Sequence, residues 1–143
     1  MRRIKLKFYL LLIFFAFACC KQSFAQSDRV VDSLMNILKT ATEDTGKVNG
    51  LNALGRRFWE TKQYEEGRKY SNEALLLAEK LAYKKGIAFA YNNIGLTYLH
   101  QGKYPEAIKN LLTAVKIREE IGDKPGASNS YENLAAAYDD QGN

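Results

Sequence analysis

Three glycines, Gly46, Gly86 and Gly126, stand forty residues apart, and a version of the same segment follows each of them. The segments are "LNALGRRF" from Leu51, "YNNIGLTY" from Tyr91 and "YENLAAAY" from Tyr131. Their columns align as Leu54, Ile94, Leu134, then Gly55, Gly95, Ala135, then Phe58, Tyr98, Tyr138. Farther along, Tyr64 matches Tyr104 and Ala74 matches Ala114. Between residues 86–103 and 126–143, six of eighteen positions are identical. A period of this size constrains the fold more than any other feature of the chain. One supersecondary unit is built several times, and each unit buries its apolar face on its neighbour.

Each unit reads as two helices. Tyr91, Ile94, Gly95 and Tyr98 follow the i, i+3, i+4, i+7 spacing of one helix face, which predicts a first helix from about Ile87 to Gln101. Gly102 supplies the left-handed residue that ends a helix, and Pro105 suits the first turn of the next. That second helix carries Ala107, Ile108, Leu111, Leu112, Val115 and Ile121 at helical spacing. "GDKPG", residues 122–126, reads as a helix-to-helix turn. No stretch alternates as a strand does. Residues 28–41 are amphipathic too, through Val30, Val31, Leu34, Ile37, Leu38 and Ala41, and a shift of forty places them on a second helix.

These residues resemble the tetratricopeptide repeat, whose pattern is W-x₂-L-G-x₂-Y…A-x₃-F. The second copy reads Tyr91-x₂-Ile94-Gly95-x₂-Tyr98 and then Ala107-x₃-Leu111; the first reads Leu51-x₂-Leu54-Gly55-x₂-Phe58 and then Gly67-x₃-Ser71. The third gives Tyr131-x₂-Leu134-Ala135-x₂-Tyr138. Two departures stand out: Ser71 where a large apolar residue is usual, and a period of forty where thirty-four is standard. The longer period resembles a subclass found in exported bacterial repeat proteins and in sensor regions of bacterial signalling proteins. The resemblance implies an all-α fold, an α-solenoid of antiparallel helix pairs in a right-handed superhelical stack. The expected organisation is a signal peptide over residues 1–25, a capping helix within 26–45, and repeats over 46–85, 86–125 and, in part, 126–143. In this arrangement Gly95 and Ala107 are small because two helices cross there. The recurrent tyrosines Tyr91, Tyr98, Tyr104, Tyr131 and Tyr138 are expected in the core.

The formal charge of +5 would suit a nucleic-acid or membrane-surface partner, but its location argues otherwise. Five of the 21 Lys and Arg residues lie before residue 26 with no acid among them, which leaves sixteen bases against sixteen acids in the remainder. No nucleic-acid partner is expected. The first 25 residues have the three parts of a secretory signal: "MRRIKLK", the apolar run 8–20, and the small-x-small site Ser23-Phe24-Ala25 with cleavage before Gln26. Thirteen apolar residues fall short of the about 20 that span a bilayer, so no membrane span is expected. The expected location is therefore the periplasm or the extracellular space. Lipidation at Cys19, after Ala16-Phe17-Ala18, is the alternative route to the same side of the membrane. Both cysteines, Cys19 and Cys20, belong to this leader, so the mature chain has no disulfide or thiolate chemistry.

Catalytic constellations are missing from the remainder. His100 is the only histidine and reads as a solvated helix-end residue. The acidic pairs Glu65-Glu66, Glu119-Glu120 and Asp139-Asp140 are sequence neighbours, which a helix points about 100° apart. No phosphate-binding glycine motif is present. No enzymatic activity, cofactor or metal site is expected.

One helix face does exceed a bland reading. Opposite the packing face of each first helix lie Asn49, Asn52, Arg56 and Trp59, then Phe89, Asn92, Asn93 and Leu96, then Asn129, Glu132 and Asn133. In a stack this is the inner, concave wall. Its asparagines can both donate to and accept from an extended backbone. Arg56 is the one cation among these positions. The expected function is non-catalytic binding of a peptide or protein partner on this face. The alternative is the periplasmic sensor region of a larger signalling protein, a histidine kinase or a DNA-binding regulator. The third copy has a first helix and no second within this sequence, so the chain is expected to continue past Asn143. Left alone, that uncapped C-terminal helix is expected to fray or to drive self-association.

Overall fold

Six helices make up the described residues, 29–142 of a computed structural model, and no strand occurs among them. The expected leader, with its cleavage site before Gln26 and the alternative lipidation at Cys19, lies outside these residues. Residues 29–40 form α1. Thereafter come α2 (Thr45–Glu60), α3 (Tyr64–Lys80), α4 (Lys84–His100), α5 (Tyr104–Glu120) and α6 (Lys124–Gln141). The chain divides into a unit ending at Asn36 and a unit spanning Ile37–Asn143. In the first, Val30 is exposed. The second holds the helix pairs.

Within that second unit, α2 packs on α3, α4 on α5, and each pair on the next, while α2 also touches α4 and α4 touches α6. The regularity comes from the turns. Residues 62, 82, 102 and 122 are all left-handed, with φ of 64°, 51°, 71° and 70°, and each follows a helix of 16 or 17 residues. Gly102 and Gly122 suit this conformation; Lys62 and Ala82 adopt it against their side chains. Pro105 and Pro125 sit in the first turns of α5 and α6. Asp44 and Asp123 cap α2 and α6 by accepting from the Lys47 and Gly126 N–H groups.

The helix α4 begins at Lys84, three residues before the Ile87 that periodicity predicts. Gly86 lies in the first turn of α4. It acts here as a contact and not as a breaker, because a Cβ there would meet Val48 Cγ1 at 2.6 Å. The expected crossings are present: a Cβ on Gly95 would meet Leu111 Cγ at 2.7 Å and the Ala107 carbonyl at 3.2 Å. The odd Ser71 has the same origin. It is fully buried where α3 crosses α2, and a Cβ on Gly55 would stand 2.2 Å from its hydroxyl oxygen.

Two tyrosines depart from the expectation. Tyr131 and Tyr138 are 48% and 38% exposed, whereas Tyr91, Tyr98 and Tyr104 are half-buried. In α4 the corresponding face is covered by α5; in α6 it lies open. Leu134 does find neighbours, in a cluster with Leu99, Ala107, Leu111 and Ala137.

Candidate functional site

The first helices of successive repeats, α2, α4 and α6, lie side by side, and their shared face lines an open cavity of about 590 Å³. Asn49, Asn52, Arg56 and Trp59 reach it from α2, Phe89, Asn92, Asn93 and Leu96 from α4, and Asn129 and Asn133 from α6. Glu132 does not border it. Ala53, in the column of Asn93 and Asn133, borders it too, as do two residues that periodicity leaves out, Tyr83 and Lys85. Lys85 changes the electrostatics, because Arg56 is then no longer the one cation and the lining contains no acid.

The asparagines divide into two groups. Asn52, Asn92 and Asn93 are 6%, 5% and 4% exposed, so their amides serve the stack before any ligand. The Asn52 amide nitrogen donates to the Gly86 carbonyl at 3.1 Å, and that of Asn93 to the Asn52 carbonyl at 2.9 Å. The Asn92 carbonyl oxygen accepts from the Ser130 hydroxyl and from the Asn133 amide, both at 3.1 Å. These ties bind α2 to α4 and α4 to α6 at sites where water is excluded, which makes them costly to lose. Asn49 and Asn129 remain exposed, with Asn49 accepting from the Tyr83 hydroxyl at 3.3 Å.

Behind the third-repeat end of the cavity lies a residue that periodicity does not mark. Arg118 of α5 is 2% exposed and donates to the Gly126 carbonyl and, at 2.9 Å, to the Ser130 hydroxyl. Its guanidinium lies 4.9 Å from the centre of the Phe89 ring. Burial pushes the Arg118 guanidinium below its ordinary value, and the nearby Asp123 carboxylate works in the opposite sense. A signal existed in the columns: Arg118 and Ser130 occupy the positions of Ala78 and Ala90, both fully buried. The joint change from two alanines to a donor and an acceptor marks a polar tie.

At the other end, Trp59 stacks on His100 with centroids 5.1 Å apart and planes within 15°. His100 is thus exposed, as the sequence predicts, but its ring supports one wall of the cavity. Two buried polar atoms of this end have no hydrogen-bond partner, the indole Nε1 of Trp59 and the side-chain oxygen of Asn52. No group of side chains suited to hold a metal ion occurs among the described residues.

A sequence model of the tetratricopeptide repeat matches residues 47–120 and 86–143. None of the curated proteins matches the chain. Among solved structures, it is similar to the TPR domain of Arabidopsis FLU, at 23% identity and a TM-score of 0.63, over 68% of this chain and 82% of that one. It is also similar to nearly identical TPR-like repeats assigned to a kinesin light chain of Podosopora anserina, at 20% identity and a TM-score of 0.61. That likeness covers 85% of this chain and 62% of the other.

Proposed function

The chain belongs to the tetratricopeptide repeat family, and from that premise we propose that it is an exported, non-catalytic scaffold that holds a peptide or protein partner against its inner wall. The observation that carries this reading is the cavity shared by α2, α4 and α6, where Trp59 and Phe89 stand among amides and cations. Such a lining combines apolar anchors with donors and acceptors for a backbone, which is what an extended segment needs. The fold supports the reading as well, since repeats of this family typically serve protein interaction.

Trp59 is the single tryptophan of the chain, so its fluorescence reports on the cavity alone. Peptides selected from a random display library on the immobilised protein should shift Trp59 emission on binding. They should lose affinity by about tenfold with Phe89→Ala, since an aromatic anchor is worth more than about 1 kcal/mol when truncated. Selected peptides that bind with no change in emission and no response to Phe89→Ala would put the site elsewhere.

A further inference from the structure

Two columns of the repeat meet wherever one helix pair receives the next. The first holds Leu38, Ala78 and Arg118, and the second holds Gly50, Ala90 and Ser130, each forty residues apart. The pairing changes in size and polarity from junction to junction. At the entry to the first repeat Leu38 lies over Gly50, and a Cβ on that glycine would stand 2.7 Å from Leu38 Cδ2. Between the first and second repeats, α3 brings Ala78 and α4 brings Ala90, both fully buried. Between the second and third, α5 brings Arg118, which donates to the Ser130 hydroxyl of α6 at 2.9 Å and to the Gly126 carbonyl. A large apolar side chain is matched to a glycine, a methyl group to a methyl group, and a cation to a hydroxyl.

Partners cannot be exchanged between junctions without loss. Leu38 opposite Ala90 or Ser130 would meet a Cβ where there is room for none. Ala78 opposite Gly50 would leave space unfilled. Arg118 opposite Gly50 or Ala90 would lose an acceptor, and its Nε already has none. At 2% exposure it has no water to turn to, so the lost bond is an uncompensated buried donor. A buried polar pair adds little net stability over an apolar one of the same shape, but it does specify register.

We propose that these three pairs are an address code: they fix which first helix docks on which preceding second helix, and so keep a second copy of this chain from inserting its own repeats. The vulnerable junction is the last. The helix α6 is the least covered, resting on α5 and, at its edge, on α4. While it is open, α4 of a second copy presents nearly the same face to α5, which is how repeats exchange between chains. That helix carries Ala90 where Ser130 belongs, and α2 carries Gly50. Either would leave Arg118 without its acceptor, so α6 alone satisfies α5.

The double variant Arg118→Ala with Ser130→Ala turns the third junction into a copy of the second. Parent and variant are refolded from urea at high protein concentration, diluted, and read by size-exclusion chromatography with light scattering. Exchanged oligomers that persist on dilution should be several-fold more abundant in the variant. The tyrosine face of α6 is the same in both, so association through it cancels in the comparison. The matching itself is read from urea midpoints. Gly50→Ala should lower the midpoint of the parent, although alanine is the better helix former, and raise it in a Leu38→Ala background. Ser130→Ala should lower the midpoint of the parent more than that of Arg118→Ala. Shifts that ignore the partner residue at either pair would overturn the matching. Equal oligomer content in the parent and the double variant would overturn the address code.

Discussion

Asn93 shows how one side chain can answer to both fold and site. It borders the cavity, yet its amide donates to the Asn52 carbonyl in an environment only 4% exposed. Its own carbonyl in turn accepts from Thr97 at 2.8 Å. Removing the amide loses one buried hydrogen bond between α4 and α2, while the Asn52 backbone carbonyl keeps its partner within α2, a loss of about 0.5–1.5 kcal/mol. Asn93→Ala should therefore lower the stability by about that amount in urea denaturation, with no ligand present. Asn129, on the same wall but exposed, is the control: Asn129→Ala should stay within about 0.5 kcal/mol of the parent. Equal effects of the two substitutions would mean that the wall asparagines do not tie the repeats together. Sequence columns group all these asparagines as one class. Burial separates them, and burial depends on whether the next helix carries a partner at the facing column.

Among the elements, the interiors of α2 to α6 were legible because their apolar spacing is dictated by one buried face. Their ends were less so, since Gly86 looks like a breaker and is a contact. Gly95 puts this in energetic terms. Alanine is the better helix former by about 1 kcal/mol. Its Cβ, however, would stand 2.7 Å from Leu111 Cγ, and Leu111 is fully buried with no room to retreat. Overpacking of that kind costs about 1–3 kcal/mol, so Gly95→Ala should destabilise in spite of propensity. A rise in thermal midpoint would show that α5 moves aside. The turns give the opposite sign. Ala82 holds φ of 51° where Gly102 and Gly122 stand in later turns. Ala82→Gly relieves a left-handed strain of about 1–2 kcal/mol and loses part of that to the greater freedom of the unfolded chain. A net gain of about 0.5–1 kcal/mol is expected in the same denaturation assay.

In the whole molecule, the location of the site followed from periodicity, because the face opposite the packing columns has to line the inside of a stack. Lys85 and Arg118 did not follow. The first precedes the repeated segment, and the second is a charge in the column where the preceding repeat has Ala78. The same stacking logic makes stability uneven along the chain. In a linear array each repeat contacts only its neighbours, so local opening follows the number of covered faces. The helix α4 is covered by α2, α3, α5 and α6, whereas α6 rests on α5 and, at its edge, on α4. The open face of α6 carries Tyr131, Ala135 and Tyr138, and the Tyr131 hydroxyl donates to Glu119 at 2.6 Å as its one outward tie. Amides of residues 127–141 should therefore exchange with solvent much faster than those of 87–101. Fusion of a helix with the sequence of residues 104–121 after α6 should slow them and raise the melting temperature, because it covers the face that α5 covers on α4. If the open tyrosine face drives association, raising the protein concentration should slow the same amides without the fusion. Strong protection of residues 127–141 in the dilute monomer would show that the ties through Leu134, Ser130 and Asn133 hold α6 unaided, and the coverage argument would fail.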